Sequence, residues 1–119
     1  ILQVEDKDLG LDRAGQVRSI APNVIHSLDA AMLQDTVLRM QELGYEDFSM
    51  IHDSYGVHAG GVEDLHGALR ASALEIFSED YLAEFHAHAQ AQVSVALPSP
   101  PMQGDYDINE ITNAPYFFS

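Results

Sequence analysis

Cysteine is absent from all 119 residues, so the chain has no disulfide framework, no thiolate nucleophile and no thiolate metal site. Basic residues are scarce: five Lys plus Arg stand against 19 Asp plus Glu, a formal charge of −14. A protein that binds nucleic acid unaided usually presents a basic face, and this composition supplies none. The imbalance favours solubility, cation binding or a basic partner, and any phosphate contacts are expected mainly from other segments. No apolar run approaches the roughly 20 residues of a membrane span, and no basic-then-apolar leader is present. No membrane role is therefore expected. Initiator Met is missing as well: the chain opens on Ile1, so it is expected to be a processed product or a piece of something longer.

Hydrophobic residues make up 46% and charged residues 20%, the balance of a globular rather than a disordered chain. The length suits one domain with a modest core. Residues 1–20 are polar and acidic and read as a linker or irregular arm, with a short strand near Val17 to Ile20. Ala21-Pro22-Asn23 then reads as a helix start, since Pro tolerates a first turn and Asn can cap. From Val24 to Leu43 the residues Ile25, Leu28, Met32, Val37 and Met40 recur at helical spacing and predict a buried stripe. Gly44 is placed to end that helix.

A hairpin is expected over Phe48 to Val57, and Ala59-Gly60-Gly61 interrupts the chain after it. A second helix from about Glu63 buries Leu65, Leu69, Ala73, Ile76 and Phe77, and a third runs from Asp80 to about Val95 with Leu82 and Phe85. Leu97-Pro98-Ser99-Pro100-Pro101 must be extended. The remaining tail turns aromatic at Tyr116-Phe117-Phe118, which predicts that it docks.

The stretch Met50-Ile51-His52-Asp53-Ser54-Tyr55-Gly56-Val57-His58 carries the most chemistry. It reads as two short strands joined by a tight turn with Asp53 and Ser54 on the tip. A carboxylate held rigidly on such a tip and still facing solvent is where a metal-binding Asp needs to sit; an ordinary solvated turn Asp gives the same pattern. The other polar candidates have plain readings too. His26 lies three residues before Asp29, the spacing of a helix-surface pair, with Asp29 as a structural partner of the helix start. His52 can be a half-buried strand histidine, His58 can close the second strand, and His66 reads as solvated surface. His86 and His88 are two apart on a helix and face different ways.

Three segments, in this order, resemble the C-terminal end of the single-subunit, bacteriophage-type DNA-directed RNA polymerases, whose relatives also serve mitochondria and chloroplasts. Ala21-Pro22-Asn23-Val24-Ile25-His26-Ser27-Leu28-Asp29 is similar to the family's Pro-Asn-Phe-Val/Ile-His-Ser-x-Asp helix start. Ile51-His52-Asp53-Ser54-Tyr55-Gly56 is similar to its palm motif C, and Tyr116-Phe117-Phe118-Ser119 to its aromatic C-terminal foot. Related DNA polymerases carry His-Asp-Glu at this turn, so Ser54 resembles the RNA-synthesising branch.

The resemblance implies an α+β fold: a palm-type antiparallel β-hairpin packed against helices, part of a right-hand polymerase. Residues 1–20 would be the arm, 21–97 the palm segment with the motif C hairpin, and 98–119 the Pro-rich linker and foot. It further implies that Asp53 is one of two catalytic aspartates and binds two Mg2+ ions, with His52 beside it near the transcript 3′ end. His26, Tyr55 and Phe118 would lie close to nucleic acid or nucleotide. The partners implied are DNA template, RNA transcript and ribonucleoside triphosphates, together with the N-terminal, fingers and remaining palm segments that this chain lacks. The compartment implied is the cytoplasm of a phage-infected bacterium, or alternatively the mitochondrial matrix. Two rival readings remain: a non-catalytic acidic interaction module that keeps the palm fold, and a His–Asp metal hydrolase built from His26, His52 and Asp53.

Overall fold

The computed structural model describes residues 10–118. Its first element is a single long helix, α1, over Arg13–Glu42. Asp12 starts it by accepting the Gly15 amide on its side chain at 2.9 Å, which satisfies one of the first-turn donors that have no partner within the helix. The helix start expected at Pro22 and the strand expected at Val17 to Ile20 are both overturned, because Pro22 lies inside α1. A proline there removes one backbone donor and crowds the preceding turn, yet the cap at Asp12 and the helix formers Ala14, Gln16 and Arg18 carry the helix through. Of the expected 1–20 arm, residues 1–9 lie outside the described residues and residues 13–20 are helical.

The other end of α1 closes as expected. Gly44 adopts φ 92°, the left-handed conformation that glycine takes without a Cβ penalty. Its amide donates to the Gln41 carbonyl at 2.9 Å and the Tyr45 amide donates to the Met40 carbonyl at 3.1 Å, the paired bonds of a Schellman cap. Tyr45 then lies against Gly61, where any Cβ would stand 2.5 Å from the ring, and its hydroxyl donates to Asp64 at 2.6 Å.

Strands β1 (Ser49–Ile51) and β2 (Ser54–Gly56) form an antiparallel pair. Helices α2 (Val62–Phe77) and α3 (Tyr81–Ala91) follow, with α3 capped by the Asp80 side chain. The fold is therefore α+β, as expected. The third helix stops at Ala91, short of Val95, because the Gln90 side chain turns the chain instead: it accepts the Leu97 amide at 2.8 Å and donates to the Val95 carbonyl at 3.0 Å. Beyond the extended Pro98–Pro101 stretch, a short 3-10 helix at Ile108–Asn113 returns to the body and buries Ile111.

The core lies between the C-terminal half of α1 and all of α2. Met32 and Met40 meet Leu65, Ala68, Leu69, Ala73 and Ile76, with Ile111 closing one edge. Thr36 and Ser72 are fully buried at the centre, and the Thr36 hydroxyl bridges to Ser72 at 3.1 Å and to the Met32 carbonyl at 2.7 Å. Small residues at this crossing let the helices approach closely, and pairing the two hydroxyls avoids the penalty of a buried polar group without a partner.

At the rim, Arg39 pairs with Asp35 at 2.7 Å and with Glu75 on α2. Two expected core residues lie outside: Ile25 is 54% and Phe77 41% exposed. Ile25 lies on the core face of α1 but beyond the reach of α2, and Phe77 lies at the edge of the α2 stripe. The radius of gyration is 18.5 Å, against roughly 13 to 14 Å for a compact chain of this length. The N-terminal half of α1 and the α3 stripe at Leu82 and Phe85 leave apolar side chains in solvent. Among the described residues, no helix is long and apolar enough to cross a membrane.

Two stability outcomes follow from this core. Leu69→Ala should cost about 2–5 kcal/mol in urea denaturation of the chain, and a loss below about 1 kcal/mol would show that the α1–α2 contact is not the core. Burial acts to raise the Asp35 carboxyl, but hydrogen bonding from Ser72 and Arg39 and the Arg39 charge outweigh it, so it titrates below its ordinary value. A depressed carboxyl contributes stability above its unfolded pKa of about 3.9 and loses it as pH falls through the lower folded value. Asp35→Asn should flatten that acid limb; an unchanged slope would contradict the assignment.

Candidate active site

The strands pair in the register Ser49↔Gly56, Met50↔Tyr55 and Ile51↔Ser54, so His52 and Asp53 are the two turn residues. Ser54 opens β2 rather than sitting on the tip as expected, because the turn has two residues and its only free positions are those before Ser54. Met50 and Tyr55, opposite each other, pack against the core, while Ser49 and Ile51 face solvent. This alternation anchors the hairpin by one face and projects the turn outward. His52 has φ 55°, a left-handed conformation that histidine tolerates better than β-branched residues do. Backbone held in this region outside glycine is concentrated at functional sites.

The turn faces α1 across an open cleft of about 730 Å3, lined by His26, Asp29, Ala30 and Leu33 of the helix and by His52 and Asp53 of the turn. The four helical residues stand at i, i+3, i+4 and i+7, one strip of the helix surface. Four of the cleft's side chains are titratable. His26, His52 and Asp53 are all candidates from the sequence, and the fold brings the three together. Asp29, from sequence only a structural partner, joins them. Its signal lies in its spacing: it stands three, seven and eleven residues before Met32, Thr36 and Met40, and so extends the core face of α1 past the point where α2 ends. The His26–Asp29 surface pair expected from spacing is not among the ion pairs of the described residues.

Tyr55 reports the field of this cleft. Its phenol is raised above its ordinary value, first by burial and then by the Asp29 and Asp53 carboxylates. The Phe118 ring meets it edge-on at 5.4 Å and 84°, and Phe118 shares a second hollow of about 390 Å3 with Asp53, His66 and Leu69. The aromatic tail thus docks as expected through Phe117 and Phe118, whose rings stand 5.4 Å apart, whereas Tyr116 stays 88% exposed. His66 is half-buried in that hollow rather than solvated, because the returning tail covers it. His58 is exposed, 3.6 Å from Asp47.

Among the described residues, no group of three or more His, Asp or Glu side chains converges as a metal site. Asp53 and Asp29 share the cleft, but two carboxylates do not complete the near-octahedral shell of oxygens that Mg2+ requires. The metal-hydrolase reading loses its geometric basis on the same ground: His26, His52 and Asp53 share a cleft but do not form a chelating set.

A helix and a hairpin thus present two carboxylates and two histidines to one open cleft. Comparison with known proteins gives the chain its family. Residues 1–96 match the model of the DNA-dependent RNA polymerases. The chain is 31% identical over 105 residues to DNA-directed RNA polymerase 1A of Nicotiana tabacum, covering 87% of this chain and 67% of that protein. It is 31% identical to the mitochondrial DNA-directed RNA polymerase 1 of Nicotiana sylvestris, covering 87% of this chain and 10% of that protein. The chloroplastic/mitochondrial polymerase 2B of Nicotiana tabacum is 32% identical over 119 residues, 99% of this chain and 11% of that protein. No solved structure matches.

The chain belongs to the DNA-dependent RNA polymerase family, in its single-subunit, phage-type branch. It spans two thirds of the first of these relatives and about a tenth of the two organellar ones.

Two measurements test the site's geometry. His52→Gly should leave the chain as stable as wild type or slightly more so, whereas His52→Val should cost about 1–2 kcal/mol; the reverse order in thermal denaturation would contradict the left-handed turn. Asp29→Asn and Asp53→Asn should each lower the Tyr55 phenol pKa toward its ordinary value in an ultraviolet titration. A Tyr55 indifferent to both would place the carboxylates elsewhere.

Proposed function

We propose that this chain is the C-terminal palm segment of a DNA-directed RNA polymerase, and that its cleft holds the growing RNA 3′ end and the incoming ribonucleoside triphosphate. The observation that carries this reading is the convergence of His26 and Asp29 from α1 with His52 and Asp53 from the hairpin, inside the stretch that matches the family. The parent reaction is transfer of a ribonucleoside monophosphate to the RNA 3′-hydroxyl with release of pyrophosphate, directed by a DNA template.

In this reading Asp53 is a catalytic aspartate and one carboxylate of a divalent-metal site, most simply for two Mg2+ ions. Its other ligands come from outside these residues, with Asp29 as a candidate neighbour. Such ions, when bound, neutralise charge on the triphosphate and lower the pKa of the attacking hydroxyl. The chain's own residues do the positioning. The register fixes Asp53 on the turn with its carboxylate toward the cleft. His52, held in its left-handed conformation, presents an imidazole next to Asp53 that can hydrogen-bond the transcript end. His26 faces the same space from α1, where it can contact the nascent pair. Tyr55, kept protonated by burial and by the two carboxylates, adds no negative charge beside them.

With a charge of −14, the segment repels template and triphosphate by itself, so basic groups of the remaining polymerase must hold them. The organellar names of two of the reported relatives support the mitochondrial alternative, or a chloroplast counterpart, over the phage-infected bacterium.

Asp53→Asn in the full-length polymerase should reduce RNA extension to background while leaving DNA binding, followed by fluorescence anisotropy, near wild type. An Asn variant with normal extension would overturn the assignment of Asp53.

A further inference from the structure

Arg70 stands among five Lys plus Arg in a chain with 19 acidic residues, yet the ion pairs of the described residues run through Arg39 and His58 and leave it aside. Its guanidinium is engaged differently. Nη1 donates to the His66 carbonyl at 3.2 Å, one turn back on α2, and this orients the side chain along its own helix. Nη2 donates to the Ala114 carbonyl at 3.0 Å, 44 residues further along the chain. The same group lies over the Phe117 ring, 5.9 Å from its centroid. A planar fork that grips a carbonyl and a ring face together is a use that Lys, with its charge but no fork, reproduces only in part.

The packing then continues in one direction. Phe117 meets Phe118, Phe118 meets Tyr55, and Tyr55 sits in β2 immediately after the turn residues and Ser54. Phe118 also lines the hollow that contains Asp53. The hairpin itself is only three paired positions long, too short to be independently stable, so its placement depends on what packs against it.

We propose that Arg70 is a positioning residue: by clamping Ala114 and Phe117 to α2 it holds Phe118 against Tyr55, and through Tyr55 it fixes the turn that carries His52 and Asp53. The clamp is a property of the chain alone; its consequence for nucleotide addition rests on the polymerase reading.

The test uses Arg70→Met, which keeps the apolar stem and removes the charge and donors, with Arg70→Lys and Phe118→Ala as companions. In the 119-residue chain, Arg70→Met should abolish the nuclear Overhauser effects between the Tyr55 and Phe118 rings while the urea midpoint stays near wild type. Arg70→Lys should keep them at reduced intensity. Rings that stay together in Arg70→Met, or that separate only on global unfolding in both Arg70 variants, would overturn the clamp.

In the full-length polymerase, Arg70→Met and Phe118→Ala should each lower kcat by roughly ten- to a hundredfold with nucleotide KM and DNA affinity unchanged, and the double variant should be no worse than either. Multiplying effects, or an unchanged kcat in a variant whose rings have separated, would overturn the positioning role. A wild-type polymerase without extension activity would sink the polymerase reading and the positioning role with it, while the ring packing is still decided on the chain.

Discussion

Everything in this structure hangs on the crossing of α1 and α2 at Thr36 and Ser72. The two hydroxyls are fully buried, bonded to each other and ringed by Met32, Met40, Leu69 and Ala73. Because the crossing has small polar residues at its centre, the helices approach closely there, and sliding or rotating either one would break the buried Thr36–Ser72 bond. That constraint sets the direction of both helices. It carries the core face of α1 outward to Asp29 beyond the last contact with α2, and it turns Leu65, Leu69 and Arg70 of α2 toward the hairpin and the returning tail. The cleft is what remains where α1 overshoots the core and the hairpin turn faces it.

The site therefore consists of groups that cost the fold little. Asp53 and His52 occupy a two-residue turn, His26 and Asp29 an exposed stretch of helix, and none of them is needed by the core. The strain the site does carry, at His52, is local and small. The aromatic packing of Tyr55 against Phe118 does the opposite job, joining the free end of the hairpin to the tail and through Arg70 to the same helix that forms the core.

Much of this is legible in the sequence, and the failures have physical causes. The α2 stripe, the Gly44 cap and the hairpin all carry short-range signals: periodicity of 3.6 or 2 and a residue able to take positive φ. The start of α1 is misplaced from sequence because Pro22 and Asn23 mimic a helix N-terminus, while the true cap, Asp12, sits among acidic residues that look like a linker. Ile25 is expected in the core because periodicity identifies a face of a helix without saying how far its neighbour extends. Asp53 is suggested locally by its place on a tight turn, whereas His26 and His52 emerge through motif order. Asp29 and Arg70 escape sequence reading because their roles depend on long-range placement: one needs the hairpin opposite it, the other a carbonyl 44 residues away.

If the cleft between α1 and the His52–Asp53 turn receives the end of the transcript, the RNA itself can report it. A 4-thiouridine placed at the RNA 3′ terminus of an elongation complex of the full-length polymerase would be photocrosslinked, and the attached peptides mapped by mass spectrometry. Crosslinks should fall in the α1 stretch around His26 to Leu33 and in the hairpin around His52 to Tyr55. Crosslinks confined to segments outside this chain would contradict the proposed role of the cleft.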